Sequence, residues 1–221
     1  MLTLRPEDHH RIESIIHYAN RLPIDQLVTG TSGNISCLLS SRTHLAITPT
    51  GVEYGELTED KISIVSLDGH HDGGFLPSSE TPMHLEIFRN RPEVQAVVHT
   101  HSMYATTFSV RGVSIPALHY MIAALGGNQI PITSHYEPFG TKELARTVVN
   151  ALDEKYKGVI MRNHGALTVG STVAEAYKNA VILEEMAELY YRTLTIGEPT
   201  LLSTEQMEHV LHEFQTYGKQ K

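Results

Sequence analysis

Apolar residues along this chain recur with two spacings, one typical of helices and one typical of strands. After Pro6, apolar side chains three or four positions apart predict a helix with one buried face, at Ile12, Ile15, Ile16, Ala19 and Leu22. The same spacing predicts a helix of about 20 residues after Thr172, which forms an S/T-x-x-E capping-box pattern with Glu175. Shorter helices are predicted from residues 78–82 to about residue 90, and over residues 203–214.

Short apolar segments between these helices predict strands at residues 34–39, 44–48, 62–67, 95–101 and 158–162. Because strands and helices are interleaved, the predicted class is α/β or α+β, with a central sheet flanked by helices. No linker, repeat or low-complexity segment divides the chain, so we expect a single domain over residues 1–221. The polar end, about residues 215–221, is expected to form a flexible tail.

Composition narrows the class of partner. The formal net charge of -8 argues against nucleic acid, whose phosphates require clustered Lys and Arg, but a phosphorylated small molecule remains compatible. The single cysteine, Cys37, excludes an internal disulfide and favours a reducing compartment. The first residues lack a signal-peptide pattern, and no apolar run approaches the roughly 20 residues of a membrane span. We therefore expect a cytoplasmic protein with no membrane partner.

The residues that suggest chemistry are histidines at the ends of apolar segments. His99 and His101 end one predicted strand, and alternation along a strand places both imidazoles on the same side. With His164 after another strand, they predict a three-nitrogen site typical of catalytic zinc. Glu80 begins a predicted helix, where it is equally well interpreted as a helix-capping acid, a metal ligand or a general base. His84, one turn later, is expected to be structural.

Three small, donor-rich turns favour an anion pocket, although each alone would most often be only a turn. They are residues 30–36, which lack the G-K-[ST] ending of a nucleotide P-loop, Thr50-Gly51 and Ser78-Ser79. Two tyrosines, Tyr120 and Tyr217, are either proton donors to an oxyanion or packing residues. Together with the histidines, the turns predict a metalloenzyme that binds a phosphorylated substrate.

Eight motifs in order carry a family resemblance that covers nearly the whole chain. The chain resembles the class II aldolase/epimerase family, most closely its members that act on L-fuculose 1-phosphate, in GTSGNIS (30–36), ITPTG (47–51), LPSSE (76–80), VVHTHS (97–102), IPALHYMIAALGGNQIP (115–131), FGT (139–141), MRNHG (161–165) and FQTYG (214–218). The resemblance implies the α/β fold of that family, a single domain with a central, mainly antiparallel sheet flanked by helices.

The resemblance also implies roles for particular residues. One Zn²⁺ per subunit would be held by Glu80, His99, His101 and His164, and Glu80 would leave the metal to act as the base. Tyr120 would protonate the aldehyde oxygen, Tyr217 would be a mobile C-terminal tyrosine, and Phe139 would lie near the aldehyde. The phosphate of dihydroxyacetone phosphate would be bound by Gly33, Asn34, Thr50, Gly51, Ser78 and Ser79. The site would lie between subunits of a homotetramer.

The implied reaction is zinc-dependent, reversible cleavage of L-fuculose 1-phosphate to dihydroxyacetone phosphate and L-lactaldehyde. Within the same family the alternatives are an aldolase for 5-deoxyribulose or methylthioribulose 1-phosphate, a sugar-phosphate 4-epimerase and a methylthioribulose-phosphate dehydratase. Outside it, a zinc hydratase of the carbonic anhydrase type would leave the phosphate-binding turns without a purpose. A cupin dioxygenase would require a glutamate shortly after His101, and residues 102–108 contain none. A non-catalytic zinc-stabilised module is disfavoured by an open three-histidine site.

Overall fold

One antiparallel sheet runs through the part of the chain that is described. The computed structural model describes residues 3–71 and 73–214. Its strands are β1 (Asn34–Leu38), β2 (His44–Ile47), β3 (Ser63–Ser66), β4 (Ala96–Thr100), β5 (Gly158–Met161) and β6 (Gly165–Gly170). They pair in the order β3-β2-β1-β4-β6-β5. Every pair of neighbouring strands is antiparallel, as expected from the resemblance.

Helices cover both faces of the sheet, because its strands alternate apolar side chains between two cores. The helices are α1 (Pro6–Ile24), α2 (Thr81–Asn90), α3 (Met103–Arg111), α4 (Lys142–Leu152), α5 (Val173–Leu194) and α6 (Thr204–Phe214). Along β4, Val98 packs with α1 and α5, whereas Val97 packs with α2 and α4. A third cluster joins α3, α5 and α6 beside the sheet. Within the described residues, no helix combines the length and the apolar composition that a membrane span requires.

Most predicted elements are present within one or two residues of the predicted ends, but the sequence pattern predicts nothing for α3, α4 or β6. In α3, Thr106, Thr107 and Val110 are β-branched, which weakens the helical signal. In contrast, α4 has a clear start signal, since the Thr141 hydroxyl accepts from the Leu144 amide at 3.1 Å. Leu144, Val148 and Leu152 also follow at helical spacing, so the sequence does carry a signal for α4.

Only one of the two hydrogen bonds of the capping box predicted at the start of α5 is present. The Thr172 hydroxyl accepts from the Glu175 amide at 3.1 Å, as the motif requires. The Glu175 carboxylate, however, accepts from the amide and hydroxyl of Ser171, one residue before the cap, and pairs with Lys157 at 2.8 Å. The motif therefore identified the helix start correctly and the partner of its carboxylate incorrectly.

Strand order brings distant parts of the sequence to one end of the sheet. The central strand β4 lies between β1 and β6, and both neighbours run opposite to it. In this register Asn34 pairs with His99, and Ala166 pairs with Thr100. The last residues of β4 therefore lie beside the first residues of β1 and β6, where the candidate site is found.

Candidate metal centre and substrate cavity

The four predicted metal ligands come together at this end of the sheet. Each of Glu80, His99, His101 and His164 offers a ligand atom, and these atoms lie within 4.8 Å of one another. The Nε2 atoms of His99 and His101 are 2.9 Å apart, and His99 Nε2 lies 2.9 Å from Glu80 Oε2. Glu80 is not the helix-capping acid allowed by the sequence, because its side chain makes no capping hydrogen bond to α2.

The surroundings of Glu80 show that this donor set fits a divalent cation. Its Oε2 accepts from Asn34 Nδ2 at 3.1 Å, whereas the buried Oε1 has no hydrogen-bond partner in the described part of the protein. Oε1 lies 3.3 Å from His164 Nε2, which is close enough for an ion pair but lacks hydrogen-bond geometry. A buried carboxylate oxygen without a donor, beside converging imidazole nitrogens, is the arrangement that a Zn²⁺-like ion satisfies.

Electrostatics within the cluster keep Glu80 ionised and two of the three imidazole rings neutral. Burial acts to raise the pKa of the Glu80 carboxyl, but the His99 ring, with help from His164 and Asn34, outweighs it and keeps the pKa below its usual range. Burial acts to lower the pKa of His99, and the Glu80 carboxylate outweighs it, so that this pKa is raised. Burial and the neighbouring His99 lower the pKa of His101 to about 3 and that of His164 to about 4. These two rings are therefore neutral at pH 7 and can act as ligands.

The turn that carries His164 is held by a buried serine of α3. Asn163 has a φ of 54°, a left-handed conformation that asparagine tolerates better than most residues. The Ser109 hydroxyl accepts from the His164 amide at 2.7 Å and donates to the Met161 carbonyl at 2.6 Å. The Ser109 carbonyl accepts from the Asn163 amide at 3.0 Å. This turn therefore has a fixed shape that directs the third imidazole into the cluster.

A carboxylate on α5 fixes the chain just after His101. Glu184 accepts hydrogen bonds from the Ser102 hydroxyl at 2.7 Å and from the backbone amides of Tyr104 and Ala105, both at 2.8 Å. These amides belong to the first turn of α3, which has no cap from its own N-cap side chain. Glu184 thus holds the end of the His-x-His segment from outside the cluster.

A cavity of about 450 Å³ opens over the cluster, and most of the predicted site residues line it. Glu80, His101 and His164 are at this cavity, whereas His99 is fully buried behind them. The cavity also contains every predicted substrate-binding residue: Gly33, Asn34, Thr50, Gly51, Ser78, Ser79 and Phe139. Loops from separate parts of the chain therefore meet over one metal-binding cluster.

Two features show how the donor-rich wall is held. Gly33 has a φ of +76°, and a Cβ there would lie 2.6 Å from the His99 carbonyl oxygen, so a larger residue would push the loop off β4. The Ser78 hydroxyl oxygen accepts from Asn34 Nδ2 at 3.0 Å and from the Glu80 amide at 3.2 Å. Its own hydrogen is then left for an acceptor in the cavity. An anionic group can bind there through neutral donors.

Tyr120, one of the two predicted catalytic tyrosines, does not line the cavity. Tyr120 is half exposed and lies away from it, against His119 and Phe214, with ring centroids 4.6 and 6.4 Å apart. Tyr217 and the rest of the expected tail lie outside the described residues. The roles assigned to these tyrosines by resemblance therefore stay predictions.

Four residues that the sequence interpretation did not select take part in the site. Tyr136 and Asn163 line the cavity, and Ser109 and Glu184 hold the backbone that carries the ligands. Tyr136 is an exposed aromatic three residues before Phe139, and Asn163 lies inside the quoted MRNHG motif, so both carried a signal. Ser109 and Glu184 carried none, because their partners are backbone groups far away in sequence.

Comparison with known proteins agrees with this geometry. Residues 13–191 match the family model described as the class II aldolase and adducin N-terminal domain. The chain is 41% identical over 199 residues to L-fuculose phosphate aldolase of Escherichia coli K12, covering 90% of this chain and 89% of that protein. It is 40% identical over 204 residues to a 5-methylthioribulose-1-phosphate/5-deoxyribulose-1-phosphate aldolase of Rhodospirillum rubrum, covering 92% and 90%. A solved L-fuculose 1-phosphate aldolase superposes with a TM-score of 0.89 at 33% identity, covering 93% of this chain and 96% of that one.

Proposed function

Because the chain belongs to the class II aldolase family, we propose that it cleaves L-fuculose 1-phosphate reversibly to dihydroxyacetone phosphate and L-lactaldehyde. The observation that carries the proposal is the Glu80–His₃ cluster beneath a cavity walled by neutral hydrogen-bond donors. Such a cavity suits a small phosphorylated ketose, since one end offers donors to an anion and the other offers metal ligands. The segment at residues 115–131 favours the fuculose phosphate among the sugar phosphates of this family.

The proposed metal would supply Lewis-acid chemistry. His99, His101 and His164, with Glu80, would hold one Zn²⁺, which as a Lewis acid would polarise the carbonyl and hydroxyl oxygens of the substrate. Histidine and carboxylate ligands also suit other divalent ions, and we propose zinc because its preferred sites combine these donors with an open position.

Proton transfers are assigned to side chains of the protein. In the direction of synthesis, the Glu80 carboxylate takes the proton from the carbon next to the carbonyl of dihydroxyacetone phosphate. The resulting carbanion attacks the aldehyde carbon, and Tyr120 donates its phenolic proton to the new alkoxide. Cleavage reverses these steps.

Phosphate binding is assigned to the loops. Ser78, Ser79 and Thr50 would donate hydroxyl hydrogens, and Gly33 and Gly51 would let backbone amides approach closely. Asn34 would contribute by donating to the Ser78 hydroxyl oxygen, which leaves the hydroxyl hydrogen for the phosphate. Phe139 and Tyr136 lie at the same cavity and would face the aldehyde end. Tyr217 would close the site from the C-terminal segment.

The position of Tyr120 supports a proposal about assembly. Since this side chain is exposed and outside its own cavity, we propose that it reaches the cavity of a neighbouring subunit in a homotetramer. Mixed oligomers of Glu80→Gln and Tyr120→Phe chains test this, because some interfaces then pair an intact Glu80 with an intact Tyr120. Recovery of activity on co-expression supports a shared site. If the mixture of the two inactive variants is also inactive, the shared site is contradicted.

We also propose a cytoplasmic location, which suits the single, buried thiol of Cys37.

The second candidate is cleavage of 5-deoxyribulose 1-phosphate or its methylthio analogue, favoured by the similarity to the Rhodospirillum rubrum enzyme. Both reactions use the same metal and base and differ in the aldehyde released. The test is a coupled assay for dihydroxyacetone phosphate with each sugar phosphate, using chelated and zinc-restored protein and Glu80→Gln as the inactive control. Preference for the deoxypentulose phosphate would change the assigned substrate and leave the proposed mechanism as it is. If neither is cleaved by zinc-loaded protein, the aldolase proposal fails.

A further inference from the structure

A fully buried histidine outside the metal cluster completes a chain of hydrogen bonds that ends on Glu80. His84, on α2, has an exposed fraction of 0%. Its Nδ1 lies 2.6 Å from the Ser36 hydroxyl, and its Nε2 lies 2.5 Å from Asn34 Oδ1. Asn34 Nδ2 in turn contacts Glu80 Oε2 and the Ser78 hydroxyl. One ring therefore links a strand of the sheet to the metal-binding carboxylate.

The proton positions in this chain follow from the carboxylate. An ionised carboxylate can only accept, so the amide of Asn34 must direct its Nδ2 towards Glu80 and its Oδ1 towards His84. Oδ1 also only accepts, so His84 must carry its proton on Nε2 and donate. Nδ1 is then a lone pair that accepts the Ser36 hydroxyl hydrogen. A single tautomer of His84 satisfies all four groups.

The strand geometry makes the ring fit. Asn34 and Ser36 are two residues apart on β1, so their side chains lie on the same face, about 6.6 Å apart. A ring with one nitrogen towards each of them spans this distance when its bonds are short, as they are here. Burial lowers the pKa of His84 to about 3, and His99 adds to this effect, so the ring is neutral over the working range of pH.

We propose that His84 is a positioning residue for the aldolase reaction: it locks the Asn34 amide in the one orientation that donates to both Glu80 and Ser78. Its effect on turnover rests on the proposed function, in which Ser78 binds phosphate and Glu80 is ligand and base. Without the Nε2–H donor, the Asn34 amide can rotate and present Oδ1 to the carboxylate. Glu80 and Ser78 would then each lose a donor, and the Ser78 hydroxyl hydrogen would no longer be directed into the cavity.

Three variants separate this role from simple packing. His84→Gln places an amide N–H near the position of Nε2, so it keeps the donor to Asn34. His84→Asn places its amide near Nδ1, so it faces Ser36 and leaves Asn34 without a donor. His84→Leu removes both hydrogen bonds of the ring and replaces it with an apolar side chain of similar size.

Activity and zinc affinity give the decisive comparison. Changes around the ligands of a metal site typically cost about 10–100-fold in metal affinity or activity. We expect His84→Asn and His84→Leu to lose about this much kcat/KM, with lower kcat and higher KM for the sugar phosphate, and to bind zinc more weakly in competition with a chelator. His84→Gln should stay within about threefold of the wild type. Equal values for the Gln and Asn variants in both measurements would overturn the proposal, and this pair decides the question even where His84→Leu fails to fold.

A measurement without turnover keeps the two proposals apart. In ¹⁵N spectra of the zinc-loaded protein, the His84 ring, assigned by its loss in His84→Gln, should show a neutral Nε2–H tautomer with a slowly exchanging proton. An Nδ1–H tautomer would contradict the positioning role, whatever the enzyme cleaves. Conversely, a wild-type protein that cleaves neither sugar phosphate would defeat the proposed function, and the tautomer and the zinc affinities would still test His84.

Discussion

His99 and Ala166 are joined across strands β4 and β6 by a 2.8 Å hydrogen bond from the ring Nδ1 to the backbone carbonyl oxygen. A carbonyl oxygen can only accept, so Nδ1 carries a proton, and Nε2 is the nitrogen that faces Glu80 and His101. The ring is thus oriented by the ladder of the sheet itself. Any change that separates these two strands should therefore reorient the His99 ring and weaken metal binding.

Gly165, the residue before Ala166, is the most sensitive backbone position of this strand pair. A Cβ there would lie 2.4 Å from the Thr100 carbonyl oxygen and 2.9 Å from His101 Cδ2. We expect Gly165→Ala to lower both bound zinc and cleavage rate by at least about tenfold, because a shift of ligands alone costs about that much. Zinc content by elemental analysis and steady-state kinetics check this. Gly55→Ala, where the added Cβ meets no atom within 4 Å, is the control and should match the wild type.

Removing Glu184 should destabilise the fold more than its position on a helix surface suggests. In Glu184→Gln the charged acceptor of two backbone amides of α3 is lost, which costs about 1–3 kcal/mol of the free energy of unfolding. Denaturant unfolding of the zinc-loaded protein measures the difference. Glu185→Gln changes the same charge at an exposed neighbouring position and should shift the free energy by less than about 0.5 kcal/mol. Equal effects of the two variants would show that the contact with α3 contributes no stability.

Metal removal should lower thermal stability as well as abolish activity. The cluster holds its ligands close together, so the folded state binds zinc better than the unfolded chain does. At zinc concentrations 100-fold above Kd this adds about 2.7 kcal/mol, or about 5–10 °C in Tm for a chain of this length. Melting with chelator, and again after zinc is restored, measures the effect. His101→Ala should show a much smaller response, and an equal response would place the stabilising zinc elsewhere.

Acid should destabilise the protein partly through His84. Its pKa is about 3 in the folded state and about 6.5 in model compounds, so the unfolded chain takes up the proton first as pH falls. Stability is therefore lost progressively below pH 6.5, and this ring contributes about 1.5 kcal/mol of the loss between pH 6.5 and 5. Unfolding free energies of wild type and His84→Gln across this range should show a shallower slope for the variant. Parallel slopes would mean that the ring titrates alike in both states.

The cluster and the cavity could be predicted because their signals are local. His99 and His101 end an apolar segment, and Glu80 and Ser78 begin a helix, so each is marked by its immediate neighbours. The tautomer of His84 could not be predicted in the same way. A histidine in an amphipathic helix looks like a core residue until the register of β1 places Ser36 and Asn34 on its two sides.

Other parts of the site depended on contacts far apart in sequence. Glu184 acts on amides about 80 positions earlier, and Ser109 acts on the turn at His164, about 55 positions later. Nothing in the residues around either one marks it as more than a helix residue. The position of Tyr120 outside the cavity was equally unreadable, because a motif describes which residue is present and not which way its helix or loop faces.

The floor of the cavity and its rim are made by different kinds of structure. The floor, Glu80 and the three histidines, lies at strand ends and a helix start, whereas the rim comes from loop residues 31–33, 50–51 and 136–139. A substitution in the part of the rim at residues 136–139 is expected to change the shape of the proposed aldehyde end without touching the strand pairs that orient the floor, whereas a larger residue at Gly33 would contact the His99 carbonyl oxygen of β4. Under the proposed function, a change of preferred aldehyde can therefore arise within this one loop, while the metal ligands and the base stay as they are.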